Sequence, residues 1–138
     1  MGAPPRYVLG MATADADLIA VTLRVRDWLS LMGVMDNAIS DAVEDGDPDD
    51  IVPIADRVRT AAGSSAYETN DRQLPHDQLT RVGLSSSDWR FTLRTLAEWA
   101  EAAEDVAPDP DPDLRGPSER ELISGITVQL PAAFAPPA

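Results

Sequence analysis

The chain has 138 residues, enough for one domain with one core. It has no Cys, no Lys and a single His, and its 24 acids against 11 Arg give a net charge of −13. These absences exclude disulfides, thiolate nucleophiles, Cys-zinc and iron–sulfur sites, Schiff-base chemistry and the lysine of phosphate loops. The charge repels phosphate, so neither direct nucleic-acid binding nor adsorption to an anionic membrane is expected.

Arg in place of Lys, with Asp above Glu, fits a high-GC coding sequence; adaptation to high salt and avoidance of lysine-directed tagging are the alternatives. The start, Met1 to Arg6, lacks the apolar run and cleavage pattern of a signal peptide. The apolar stretch Leu18–Met35 is interrupted by Arg24, Arg26 and Asp27, which excludes a membrane span. Cytoplasmic synthesis is expected, with a virus particle as one destination.

Acids and Arg balance over residues 1–33, whereas residues 34–63 carry eight acids against two Arg. The former is the candidate core and the latter a candidate surface. Over 13–33, Thr13 as N-cap, Asp15 and Asp17 in the first turn, and a stripe of Leu18, Val21, Val25, Trp28, Leu29 and Met32 predict a helix ending at Gly33. The rival is a strand, because Ile19, Val21, Leu23 and Val25 alternate with polar or small residues. Length and capping favour the helix.

Asp36 is a candidate cap for a short helix with Ile39, Ala42 and Val43 inward, ending at the turn Glu44-Asp45-Gly46-Asp47-Pro48. Asp49 or Asp50 caps the next helix, where Pro53 fits the first turn, Val52, Ala55, Val58 and Ala62 face inward, and Gly63 stops it. Residues 64–74 read as a polar loop, and Pro75 opens a short turn through Leu79 and Val82 to Gly83. Ser85-Ser86-Ser87-Asp88 starts the clearest helix, with Trp89, Leu93, Leu96, Trp99 or Ala100, Ala103 and Val106 buried. Its wet face carries Arg90, Arg94, Glu98, Glu101 and Asp105, with the acids crowding the C-terminal end against the helix dipole.

Pro108 to Asp113 alternates Pro and Asp, a stiff hydrated linker. Ser118 and Glu121 form a capping box. Ile126, Val128 and Leu130 alternate, which predicts a short strand. No internal repeat is evident. The expected fold is mainly α, a small bundle of about four helices with extended N- and C-terminal arms and room for one short strand pair near the ends. The expected segments are an N-terminal arm (1–12), a helical core (13–106), the Asp-Pro linker (107–117) and a C-terminal arm with a short helix and extended tail (118–138).

Catalytic and metal constellations are weak. Asp109, Asp111 and Asp113 have the first spacings of a calcium loop, but Leu114 and Arg120 stand where Gly and Glu are required. The run Glu44, Asp45, Asp47, Asp49, Asp50 is dense enough for loose divalent binding, yet a turn and helix caps already account for most of it. His76 adjoins Asp77 and precedes Ser85, Ser86 and Ser87, but there is no nucleophile elbow and the serines have a capping role. A carboxylate-only hydrolase is possible in principle, but with 24 acids the spacing of any pair is uninformative. No cofactor or metal is expected.

Phe91 falls on the wet side of its helix, and Phe134 lies in a Pro/Ala tail that cannot fold alone. Together they suggest docking on other subunits. The expected function is therefore a non-enzymatic structural or assembly component of a larger protein complex, a tailed-phage virion being one setting (adaptor, connector, minor capsid or tail protein). Its expected partner-binding residues are Phe91, Glu98, Glu101, Asp105 and Phe134. The alternative is an acidic inhibitor or DNA mimic, in which Glu98, Glu101, Asp105 and the 44–50 cluster imitate phosphates for a basic protein. A small hydrolase ranks third.

Overall fold

The computed structural model describes residues 18–104 and 118–132. In chain order these form β1 (Leu18–Arg24), α1 (Val25–Glu44), α2 (Val52–Ala66), β2 (Leu79–Ser85), α3 (Ser86–Glu104) and α4 (Glu119–Thr127). The fold is mainly helical, with a two-stranded antiparallel sheet. Thr13, Asp105, Val106, the Asp-Pro linker and Phe134 lie outside the described residues.

The helix expected over 13–33 is corrected. Residues 18–24 are a strand in which Val21 and Leu23 point inward, and helix begins only at Val25. The helical stripe had merged a strand with the first turns of a helix. Pairing with β2 decides for the strand, and that partner lies about 60 residues away, beyond any local window. The turn expected from Pro75 to Gly83 is corrected for the same reason: Leu79–Ser85 is β2, with Val82 and Leu84 buried.

Gly33 does not end a helix, and Asp36 does not cap one. α1 runs through both because Trp28, Leu31, Met35, Ala38 and Ala42 continue a buried stripe across them. Packing of that stripe outweighs the glycine's cost of about 1 kcal/mol. α2 likewise passes Gly63 and ends at Ala66. Its start is held by Asp47 rather than Asp49 or Asp50: the Asp47 carboxylate accepts from the Ile51 and Val52 N–H groups at 2.8 and 3.1 Å. Asp47 reaches them from a left-handed backbone (φ 51°) that follows Gly46 (φ 79°). Pro53 sits in the first turn, as the sequence predicts.

α3 starts at the serine run, and Ser85 Oγ accepts from the Asp88 N–H. The Ser118–Glu121 capping box closes in both directions, at 3.0 and 3.1 Å. The strand expected over Ile126, Val128 and Leu130 is corrected. α4 reaches Thr127, and Ile126 and Leu130 are buried one helical turn apart while Val128 is exposed. Residues 118–130 are part of the core rather than an arm, through Leu122, Ile126 and Leu130. The Gln129 amide also pairs with the N–H and C=O of Thr22, both at 2.7 Å, along the free edge of β1.

The strand register exposes an internal repeat that the sequence reading missed. Leu18, Val21, Leu23, Asp27 and Trp28 correspond to Leu79, Val82, Leu84, Asp88 and Trp89, each pair 61 positions apart. Val21 lies directly opposite its counterpart Val82, so an approximate two-fold axis passes between them. Trp28 Nε1 donates to the Thr80 carbonyl (3.2 Å) and Trp89 Nε1 donates to the Ile19 carbonyl (2.7 Å). Ile19 and Thr80 are themselves counterparts. Each half is thus one strand and two helices, and each tryptophan ties its helix to the other half's strand. Both indoles are fully buried and anchor the core.

A candidate partner-binding groove

The two long helices follow directly from their strands, and the C-terminal half of α1 and the stretch of α3 from Phe91 to Ala102 flank an open groove of about 660 Å³. The turn after α1 and the first turn of α2 complete its wall. Ile51, Ile54, Phe91 and Trp99 give it an apolar floor. Ile51, Ile54 and Trp99 are partly buried and pack against the core.

Asp41, Asp45, Asp47, Asp49 and Glu98 stand on the walls, and Arg94 is the one cation among the described lining residues. Asp47 is occupied as a helix cap. The side chains of Asp41, Asp45, Asp49 and Glu98 make no hydrogen bond or ion pair with another described residue. Arg94 lies 5.9 Å from the centre of the Phe91 ring, within range of a cation–π contact. Neither α1 nor α3 has a basic residue in its last turn, and both end in acids. Two helix C-termini, each worth about half a negative charge, therefore add to the carboxylates on one groove.

Away from the groove, two arginines on α2 are engaged with acids. Arg57 grips Asp88 with two hydrogen bonds of 2.8 Å, and Arg59 bridges Asp36 (2.7 Å) and Asp56. The hydrogen bond to Asp88 raises the Arg57 pKa above its ordinary value, and those to Asp36 and then Asp56 raise that of Arg59. A second cleft, of about 390 Å³, contains the Arg57–Asp88 pair, whose charges neutralise each other.

Of the residues expected to bind a partner, the structure brings Phe91 and Glu98 into this groove. Phe91 is corrected: it is 4 % exposed, not on a wet face. α3 is covered on more than one side, so its buried sector is wider than the single stripe read from the sequence. Glu101 is exposed on α3 but does not line the groove. Asp105 and Phe134 lie outside the described residues. The sequence reading missed Asp41, Ile51, Ile54 and Trp99 as groove residues. The only available signal was the density of acids over 34–63.

His76 and the serine run stand at opposite ends of β2, roughly 20 Å apart for seven residues of strand. The exposed His76 contributes its backbone carbonyl to the Arg26 N–H. Among the described residues no group of three or more His, Asp or Glu side chains could hold a metal ion, and no helix is long and apolar enough to cross a membrane. No family model, curated protein or solved structure matches the chain.

Proposed function

We propose that the chain is a non-enzymatic component of a protein assembly that holds a segment of a neighbouring subunit in the groove between α1 and α3. The observation that carries this reading is the pairing of an apolar floor with walls of unengaged carboxylates. The volume, about 660 Å³, lies in the range of sites that enclose a ligand or an anchoring side chain. The groove is open to solvent rather than enclosed, which is compatible with a polypeptide occupant. The mimic reading draws on the same carboxylates, but a phosphate-like array has no use for Ile51, Ile54 and Trp99 at its base.

Blocking the groove tests the proposal. Ala102 is exposed on α3 and lines the groove, so Ala102→Phe fills it without disturbing the core. The full chain and this variant are immobilised and exposed to an extract of the cells that make the protein. A protein retained by the first and lost by the second is the expected result. Equal retention by both, with circular dichroism showing both folded, overturns the groove as the contact.

A further inference from the structure

We infer that the groove's occupant is a cationic segment of another protein, with Arg or Lys side chains flanking an apolar anchor. This rests on the groove being the contact surface. The argument is one of charge complementarity on a site where four of the five lining acids have no partner among the described residues. Asp41, Asp45, Asp49 and Glu98 surround the apolar floor, and none of them is paired with another described residue. Asp41 and Asp45 at the C-terminal end of α1 oppose its helix dipole, so the folded chain gains nothing locally from placing them there. A docked cation relieves both the mutual repulsion of the carboxylates and the conflict of these two with the helix end.

Segments of the chain itself fit poorly. Residues 105–117 carry four Asp and one Arg, and residues 133–138 carry no charge. The first 17 residues carry one Arg and two Asp. A second copy carries the same net charge of −13 and is repelled. The acidic walls therefore select a basic partner, and the apolar floor selects against a bare polyamine, which has no side chain to seat there. The lining of α3 runs from Phe91 to Ala102, roughly 16 Å at 1.5 Å per residue, enough to contact about three turns of a docked helix.

The test uses the full chain and three synthetic probes: an amphipathic helical peptide with four Arg on one face and Leu on the other, the same peptide with Gln for each Arg, and spermidine. Affinity is measured by calorimetry. Trp99 emission reports on location, because Trp28 and Trp89 are fully buried elsewhere. The Arg peptide is expected to bind at least tenfold tighter than the Gln peptide and to shift Trp99 emission. Its affinity should fall steeply with salt, and about tenfold when Asp41→Asn, Asp45→Asn and Glu98→Gln are combined.

Equal binding of the Arg and Gln peptides, with both lost in Ala102→Phe, overturns the cationic occupant but leaves the groove reading standing. Binding of the Arg peptide that is unchanged in Ala102→Phe overturns both. Spermidine competing as well as the Arg peptide overturns the apolar anchor and with it this inference.

Discussion

The two halves of the chain agree at the sheet and disagree at the groove. Around the approximate two-fold axis, Val21 faces Val82, and Trp28 and Trp89 make reciprocal hydrogen bonds to the opposite strand. At the groove the same correspondence sets Ser30 against Phe91, Gly33 against Arg94, Asn37 against Glu98 and Ala38 against Trp99. Repetition is kept where both halves must solve one packing problem, and it is dropped where a single site is built. On the proposed reading of the groove, stability concentrates near the axis and recognition away from it, a division expected when binding groups are chosen against local stability.

The largest test of this contrast is at the tryptophans. Trp28→Ala and Trp89→Ala should each cost about 3–5 kcal/mol, from the lost burial and the cavity left behind. Urea denaturation followed by circular dichroism measures both, and a large loss confined to one of them would break the equivalence of the halves. An intermediate effect is expected where counterparts differ in partner. Asp88 is 5 % exposed and takes both hydrogen bonds of Arg57, whereas Asp27 accepts one hydrogen bond of 3.3 Å from the Arg24 N–H and has only the exposed Arg26 at 4.0 Å as an ion partner. Asp88→Asn should cost about 1–2 kcal/mol, moderated because Arg57 itself is largely in water, and Asp27→Asn less than about 1 kcal/mol. Similar losses in the same denaturation assay would show that the Arg57 pair adds nothing.

The smallest effect has the opposite sign. Asp41→Asn and Asp45→Asn should each stabilise the chain by about 0.3–1 kcal/mol at low ionic strength, because they remove charges that oppose the C-terminus of α1. Thermal unfolding should show a rise in Tm that shrinks in high salt. A fall in Tm would mean that these carboxylates serve the fold, and the separation of stability from recognition would fail.

Local chemistry was legible in the sequence where the signal is short-ranged. The Ser118–Glu121 capping box, the start of α3 at the serine run and Pro53 in the first turn of α2 depend only on neighbours within a few residues. The strand over Leu18–Arg24 stands in the sequence only as the rival reading, because length and capping favour a helical stripe until β2 is placed beside it. Phe91 and Glu98 were singled out separately, for exposure and for charge. Only the fold brings them to one groove with Asp41, Ile51 and Trp99. The repeat was present all along in two runs of Leu-x-x-Val-x-Leu-x-x-x-Asp-Trp, but five shared residues become conspicuous only when the register aligns them.

By itself the sequence determined the mainly helical class, the acidic surface and the side-chain chemistries that are absent, because composition and i to i+4 spacing are properties of the chain. The tertiary structure decided the strand pair, the continuation of α1 past Gly33 and of α2 past Gly63, and the convergence of carboxylates on an apolar floor. Each of these depends on contacts between residues far apart in the chain, where burial outweighs local preference.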